Sequence, residues 1–170
     1  MISTTFCFSQ DWLSLGQGAS RQVNELYYDS TSNVLLAGGG FLEVDGIIVN
    51  CIAQWDGQQW DSLGAGANFT NAVGACGNPV TAITKFQGSY FIAGMLFASG
   101  RYSIGRWGSA SWDSIVVVPG IVSNLYSTDS LLYVTGTFDS IGGIAASGIA
   151  TWNGTTWSSI DTTRWEGDGI

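Results

Sequence analysis

The largest reserve of reactive side chains in this 170-residue chain is its 13 Asp and Glu residues, followed by three cysteines, Cys7, Cys51 and Cys76. Two carboxyl groups at a suitable separation are enough for acid–base hydrolysis of a glycosidic bond. Cysteine thiolates act as nucleophiles or as metal ligands. Histidine is absent from the sequence. A Ser-His-Asp or Cys-His constellation, a histidine-ligated zinc and a copper site therefore have no residues to be built from within this segment. The cysteines lack CxxC spacing, so two dispositions stay open. Either Cys51 and Cys76 pair in an oxidising compartment, or Cys51 is a small buried apolar residue in a strand and Cys76 a free thiol in a loop.

The carboxylates read as structural. Asp29, Asp45, Asp56 and Asp139 sit in turn-like stretches, and Asp61 and Asp113 follow Trp60 and Trp112. Asx-turns or a solvated face account for them. Ala37-Gly-Gly-Gly-Phe41 has the composition of a phosphate-cradling loop, but no Lys follows it and no helix is signalled whose N-terminus could meet an anion. It reads as a strand, and Asp56-Gly57 as a hairpin turn. Asn68-Phe-Thr70 and Asn153-Gly-Thr155 match the glycosylation pattern, a weak signal that assigns nothing. The eight tryptophans either stack on sugar rings or fill the space between sheets, and packing is the favoured reading. No catalytic, cofactor-binding or metal-ligating residue is assigned.

What would position these residues is a set of short strands. The chain is 45% apolar and 11% charged, with 24 Gly and 2 Pro, a composition that favours strands and tight turns over helices. Four elements recur three times in one order. Val23/Leu26, Val80/Ile83 and Val122/Leu125 keep one spacing. Next come Ala37-Gly-Gly-Gly-Phe41, Ala93-Gly-Met-Leu-Phe97 and Val134-Thr-Gly-Thr-Phe138, preceded by the apolar pairs Leu35-Leu36, Phe91-Ile92 and Leu132-Tyr133. Ile52-Ala-Gln-Trp55, Ile104-Gly-Arg-Trp107 and Ile149-Ala-Thr-Trp152 follow, and then Trp60, Trp112 and Trp157, trailed by Leu63, Ile115 and Ile160. Each unit divides into four strands at turn signals such as Asp45-Gly46, Asp56-Gly57, Gly142-Gly143 and Asn153-Gly154. In the first unit these are Val23–Tyr28, Val34–Phe41, Ile47–Trp55 and a last strand ending at Leu63.

The glycine-bearing strand followed by an aromatic residue and Trp60-Asp-Ser-Leu63 resembles the kelch-type repeat of galactose-oxidase-like β-propellers. The pattern Ile-Ala-x-Trp-Asp-Gly-x-x-Trp-x-x-Leu-Gly is most similar to the secreted and cell-surface members of that superfamily. The likeness covers residues 11–160 and departs from the kelch consensus in its first aromatic, Trp and not Tyr, and in the degenerate turns of the second unit. It implies an incomplete, open propeller of about three four-stranded antiparallel blades, at residues 22–64, 79–116 and 121–160. Residues 11–16 would be an orphan last strand and 169–170 the start of a further blade. The copper ligands of the oxidases have no counterpart.

Residues 1–10 are either the remnant of a secretory signal, with Gln10 or Asp11 opening the mature protein, or an ordinary tail. A net charge of −8 with scattered basic residues opposes nucleic-acid binding. No apolar run approaches the length of a membrane-spanning helix. The expected function is a non-catalytic, secreted or cell-surface bacterial module for protein binding, adhesion or scaffolding. A lectin-like propeller is the second reading and a non-catalytic part of a larger secreted enzyme the third. The partner is a protein or a glycan, no cofactor is expected, and the loop from Gly64 to Pro79 is the prime contact. Further blades are expected beyond Ile170, and the isolated chain is expected to be an open arc that self-associates.

Overall fold

A computed structural model describes residues 14–67, 80–96, 101–108 and 110–160. Every regular element among them is a β-strand, so the chain is all-β. The first sheet begins with β1 (Val23–Asp29) and β2 (Val34–Gly39), detours through the hairpin β3 (Glu43–Val44) and β4 (Ile47–Ile48), and ends with β5 (Ile52–Trp55) and β6 (Trp60–Ser62). Sheet 2 is β7 (Val80–Phe86), β8 (Ser89–Gly94), β9 (Ser103–Trp107) and β10 (Trp112–Val117). Sheet 3 is β11 (Gly120–Ser127), β12 (Leu132–Phe138), β15 (Ile149–Trp152) and β16 (Trp157–Ser159), interrupted by the hairpin β13 (Ser140–Ile141) and β14 (Ile144–Ala145). All three sheets are four-stranded antiparallel meanders: β1-β2-β5-β6, β7-β8-β9-β10 and β11-β12-β15-β16.

The apolar spacing of three in each first strand has a physical explanation. Alternate residues of a strand point to opposite faces, so positions i and i+3 would be split between them. A β-bulge inserts one unpaired residue and restores the phase. The register shifts between Val23 and Glu25, between Val80 and Ala82, and between Val122 and Asn124. In every sheet the residue before the shift pairs with a glycine: Val23 with Gly39, Val80 with Gly94, Val122 with Gly136. A Cβ on Gly39 would collide with the carbonyl oxygen of Gln22, and one on Gly136 with that of Ile121.

With the phase restored, Leu26, Ile83 and Leu125 lie on what we term the front of their sheets. The back of sheet 1 packs on the front of sheet 2, through Leu36, Ile52 and Leu63 against Val80, Ile83 and Ile92. Ala82, Phe86 and Phe91 on the back of sheet 2 meet Val122, Leu125 and Leu132 on the front of sheet 3. The first strands approach one another in sequence, β1 to β7 and β7 to β11.

Several expectations need correction. The third strand of the first unit does not run from Ile47 to Trp55. Asp45 and Gly46, both at positive φ, turn β3 into β4, and then Asn50 and Cys51, at φ 49° and 74°, lift the chain out of the strand before β5 begins. Leu42 receives the amides of both Val49 and Asn50 across this bend. Cys51 therefore precedes the strand. In the proposed orphan strand 11–16, residues 14–16 are not in a strand, and the rest lies outside the described residues, as do residues 1–10, Phe97 and residues 169–170.

The second unit is also displaced by one residue. Leu26 pairs with Ala37 and Leu125 with Val134, but Ile83 pairs with Ile92 and not with Ala93. Ala93 points to the opposite face from Ala37, Tyr90-Phe91 is the counterpart of Leu35-Leu36, and the buried Leu96 stands where Phe41 stands in sheet 1.

The paired tryptophans close the outer hairpins. Trp55 faces Trp60, Trp107 faces Trp112 and Trp152 faces Trp157, with ring centroids 5.5, 5.2 and 5.0 Å apart. Trp60 and Trp112 are buried, whereas Trp157 is half-buried.

Candidate functional site

At the last residue of β1 the chain must reverse toward β2. Asp29 initiates the turn, its Oδ1 accepting the amides of Thr31 at 3.0 Å and Ser32 at 3.4 Å. Because Asp29 lies on the back of sheet 1, its second oxygen reaches sheet 2. There Oδ2 accepts from Lys85 Nζ and from Tyr90 Oη, each at 2.7 Å. Lys85 is the only lysine in the chain. Its ammonium also lies 5.5 Å from the centroid of the Tyr90 ring, and Tyr27 meets that ring edge-on at 6.4 Å.

This arrangement is electrostatically settled. Burial alone would raise the Asp29 pKa, but the bonds from Lys85, Tyr90 and the turn outweigh it and hold the carboxyl well below the usual range. Tyr90 is pushed up to about 12, first by burial and then by its bond to the Asp29 carboxylate. Burial is also the first cause of the upward shift at Tyr27, followed by the charge of Asp29.

Beside this cluster opens a cleft of about 420 Å³, lined by Ser32 of sheet 1 and by Lys85, Ser89, Tyr90, Arg106 and Trp107 of sheet 2. It lies where the β1–β2, β7–β8 and β9–β10 turns come together. Arg106 is half exposed and 3.9 Å from Asp113, a loose surface pair. Trp107 is anchored by its Trp112 neighbour and by Gly64, where a Cβ would run into the indole. The cleft thus combines aromatic surface, the hydroxyls of Ser32, Ser89 and Tyr90, and two cations. Of the two carboxylates beside it, Asp29 is buried with both oxygens engaged, and Asp113 is exposed opposite Arg106. At the junction of sheets 2 and 3, Phe86 and Phe91 occupy the corresponding place, and the space left there is about 70 Å³.

The other acidic residues fall as the turn chemistry implies. Asp56 Oδ1 accepts the amides of Gln58 and Gln59 at 2.8 Å, Asp45 that of Gln17 at 2.9 Å, and Asp61 that of Ser62 at 2.7 Å. The side chain of Asn153 holds its own hairpin in the same way. Cys51 is disulfide-bonded, which removes the reading of it as an unpaired apolar residue. Cys7 and Cys76 lie outside the described residues, as does most of the Gly64–Pro79 loop. Sequence reasoning placed Asp29 in a turn but missed its partners. The available signal was the solitary lysine inside the otherwise uncharged strand Val80–Phe86, which calls for a counter-charge.

No family model, curated protein or solved structure matches the chain.

Proposed function

We propose that the chain is part of a β-propeller-type array, three blades of a kelch-like, secreted or cell-surface protein, serving as a non-catalytic binding module. Three meanders of one topology, packed back to front with their first strands adjacent, are what such an array requires. The disulfide at Cys51 supports an oxidising, extracytoplasmic setting.

The observation that carries the functional reading is the cleft at the turn-bearing end between sheets 1 and 2. Its walls offer Trp107, Tyr90, Arg106 and Ser89, groups that hold a ligand by stacking and hydrogen bonding. Asp29 beside it is held in its charged form by Lys85 and Tyr90, with both of its oxygens accepting hydrogen bonds. Recognition of a protein surface, in adhesion or scaffolding, is the first reading. A saccharide is the second, favoured by the indole of Trp107 beside hydroxyl and guanidinium donors.

The test is a binding screen of the immobilised chain against purified extracellular proteins and a glycan array, repeated with Arg106→Ala and Trp107→Ala. Saturable protein binding weakened by about tenfold or more, the scale of an interface hot spot, supports the first reading. Sugar binding lost with Trp107 supports the second. Binding that neither variant weakens removes the cleft from the proposal, and turnover of an array ligand overturns the non-catalytic reading.

A further inference from the structure

Residues that recur from sheet to sheet serve the packing, and residues that break the recurrence at one junction mark a place with a different duty. Lys85 and Arg106 are such departures. The register sets Lys85 level with Tyr28 of β1 and Ser127 of β11. It sets Arg106 level with Gln54 of β5 and Thr151 of β15. Neither position carries a charge in the other two sheets. The chain has five basic residues, and these two line the same cleft of about 420 Å³. Trp107 does belong to the repeated series, but it lines this cleft, whereas its counterpart Trp152 lines a space of only about 70 Å³.

The two cations are not equally engaged. Lys85 is answered by Asp29, whose oxygens also take the Tyr90 hydroxyl and the amides of Thr31 and Ser32. Arg106 has Asp113, 3.9 Å away and beyond hydrogen-bond length, with both side chains about half exposed. Among the described residues its guanidinium N–H groups are otherwise uncommitted. The wall therefore offers a guanidinium and an ammonium as donors, and its acceptors are the hydroxyls of Ser32, Ser89 and Tyr90. A ligand carrying hydroxyls alone would set donors against donors. A carboxylate supplies the acceptors that are lacking, and arginine takes it through charge-assisted, paired N–H bonds.

Size and surface narrow the ligand further. The volume falls in the range of small-molecule sites, about 300–1,000 Å³, whereas a protein interface spreads over about 800 Å² of each partner. Trp107 is half-buried and held by Trp112, with ring centroids 5.2 Å apart. Its indole is a fixed, flat apolar face on which the C–H side of a sugar ring can lie.

We propose that the cleft takes a carboxylated pyranose, one hexuronate unit of an acidic polysaccharide, with its ring on the Trp107 indole and its carboxylate on the Arg106 guanidinium. This rests on the saccharide reading of the cleft given above and names the class of sugar. Asp113 is the competitor, since the arriving carboxylate displaces it from Arg106. Asp29 is a positioning residue that fixes Lys85 and Tyr90 in the wall.

The experiment is isothermal titration calorimetry of the 170-residue chain with oligomers of galacturonate, glucuronate, mannuronate and guluronate, each beside its carboxyl methyl ester. At least one acid is expected to bind about tenfold or more tightly than its ester, the worth of a hydrogen bond to a charged group. Arg106→Gln is expected to erase that preference. Asp113→Asn is expected to strengthen acid binding by up to about fivefold and to leave the ester unchanged. Both side chains are about half exposed, so thermal midpoints should stay near the wild type. Should Arg106→Gln unfold the chain, the gain in Asp113→Asn decides alone. Acid and ester bound equally, and both lost in Trp107→Ala, sinks the hexuronate and leaves the saccharide reading standing. A preference for acid that neither Arg106→Gln nor Asp113→Asn alters overturns the seat of the carboxylate. Binding of no acid overturns the proposal, and the saccharide reading falls with it only if the glycan array is blank as well. Arg106-dependent binding of poly-glutamate, with no hexuronate bound, gives the cleft to protein recognition.

Discussion

Lys85 Nζ donates to Asp29 Oδ2 at 2.7 Å and joins the second sheet to the first, with only 3% of the Asp29 side chain exposed. Removing one member of such a pair leaves the other partly buried and unmatched. Asp29→Asn is expected to cost about 2–4 kcal/mol, toward the lower end of the buried-pair range because Lys85 keeps some access to water. Urea unfolding measures it. Pairing Asp29→Asn with Lys85→Met should recover part of the loss.

The same cluster sets a pH dependence at both ends. The Asp29 pKa is depressed in the folded state, so the stability it contributes is full above its unfolded value of about 3.9 and is lost as pH falls through the folded one. Tyr90 is raised to about 12. Its contribution is full below an unfolded value of about 10 and disappears as pH climbs through the folded one. Denaturation midpoints followed across pH should fall at the acid end in the wild type and less so in Asp29→Asn. Tyr90→Phe should flatten the alkaline limb.

The glycine triplet separates into residues with different duties. Gly39 faces the bulge, where a methyl would strike the Gln22 backbone carbonyl, whereas at Gly40 the nearest atom is the flexible Gln22 side chain at 3.5 Å. Gly40→Ala should change stability by no more than about 0.5 kcal/mol. Gly39→Ala should cost about 1–3 kcal/mol, and Gly136→Ala a similar amount, since its methyl would meet the Ile121 carbonyl. Thermal melts of the three variants decide it.

The second tryptophans should respond unequally. Trp60 Nε1 donates to the Leu15 carbonyl at 3.2 Å, while Trp112 Nε1 is buried without a partner. Trp112→Ala should cost about 3–5 kcal/mol through lost packing, and Trp157→Ala less, as that ring is half solvated. Phenylalanine reverses the usual expectation. Trp112→Phe removes an unsatisfied donor worth about 1–3 kcal/mol and should be milder than Trp60→Phe, which breaks a bond.

Cys51 should resist alkylation in the unreduced protein and react after reduction, as read by mass spectrometry. Reduction or Cys51→Ser should lower stability by about 2–5 kcal/mol, the usual loss for a native disulfide in a small domain.

The four-stranded sheets and their turn sites were legible because Asp-Gly, Gly-Gly and Asn-Gly encode positive φ locally, whereas the short hairpins β3–β4 and β13–β14 were not read as separate strands. The register of the second unit was not. The hairpin joining β1 to β2 runs through four residues, 30–33, while β7 and β8 turn on two, Gln87-Gly88, with φ 48° and 80°, so the two units arrive at their second strands out of step. Matching Ala93-Gly94 to Ala37-Gly38 followed residue identity across that offset, and a single residue exchanges the faces. The break before Cys51 was hidden likewise, since Asn50 and Cys51 adopt positive φ without a glycine to announce it. Exposure at Leu26 could not be read from composition, because it depends on what lies opposite. Of the cleft, Trp107 was visible as one of a series, whereas the Lys85–Asp29 contact needed the pairing of two sheets 56 residues apart in the chain.

The polar contacts at the two junctions are not copies of each other. Lys85 meets Asp29 at the first, whereas at the second the Thr84 hydroxyl meets that of Ser127 at 3.0 Å. Asp29 and Phe86 end their strands at matching positions, so a duplicated sheet 2 set behind itself would press a lysine ammonium against a phenyl ring. The three sheets share a shape but carry different addresses. Duplicating sheet 2 would bury that lysine without a counter-charge, and deleting sheet 2 would leave Asp29 unmatched at the new seam, so a single ion pair fixes which sheet can follow the first.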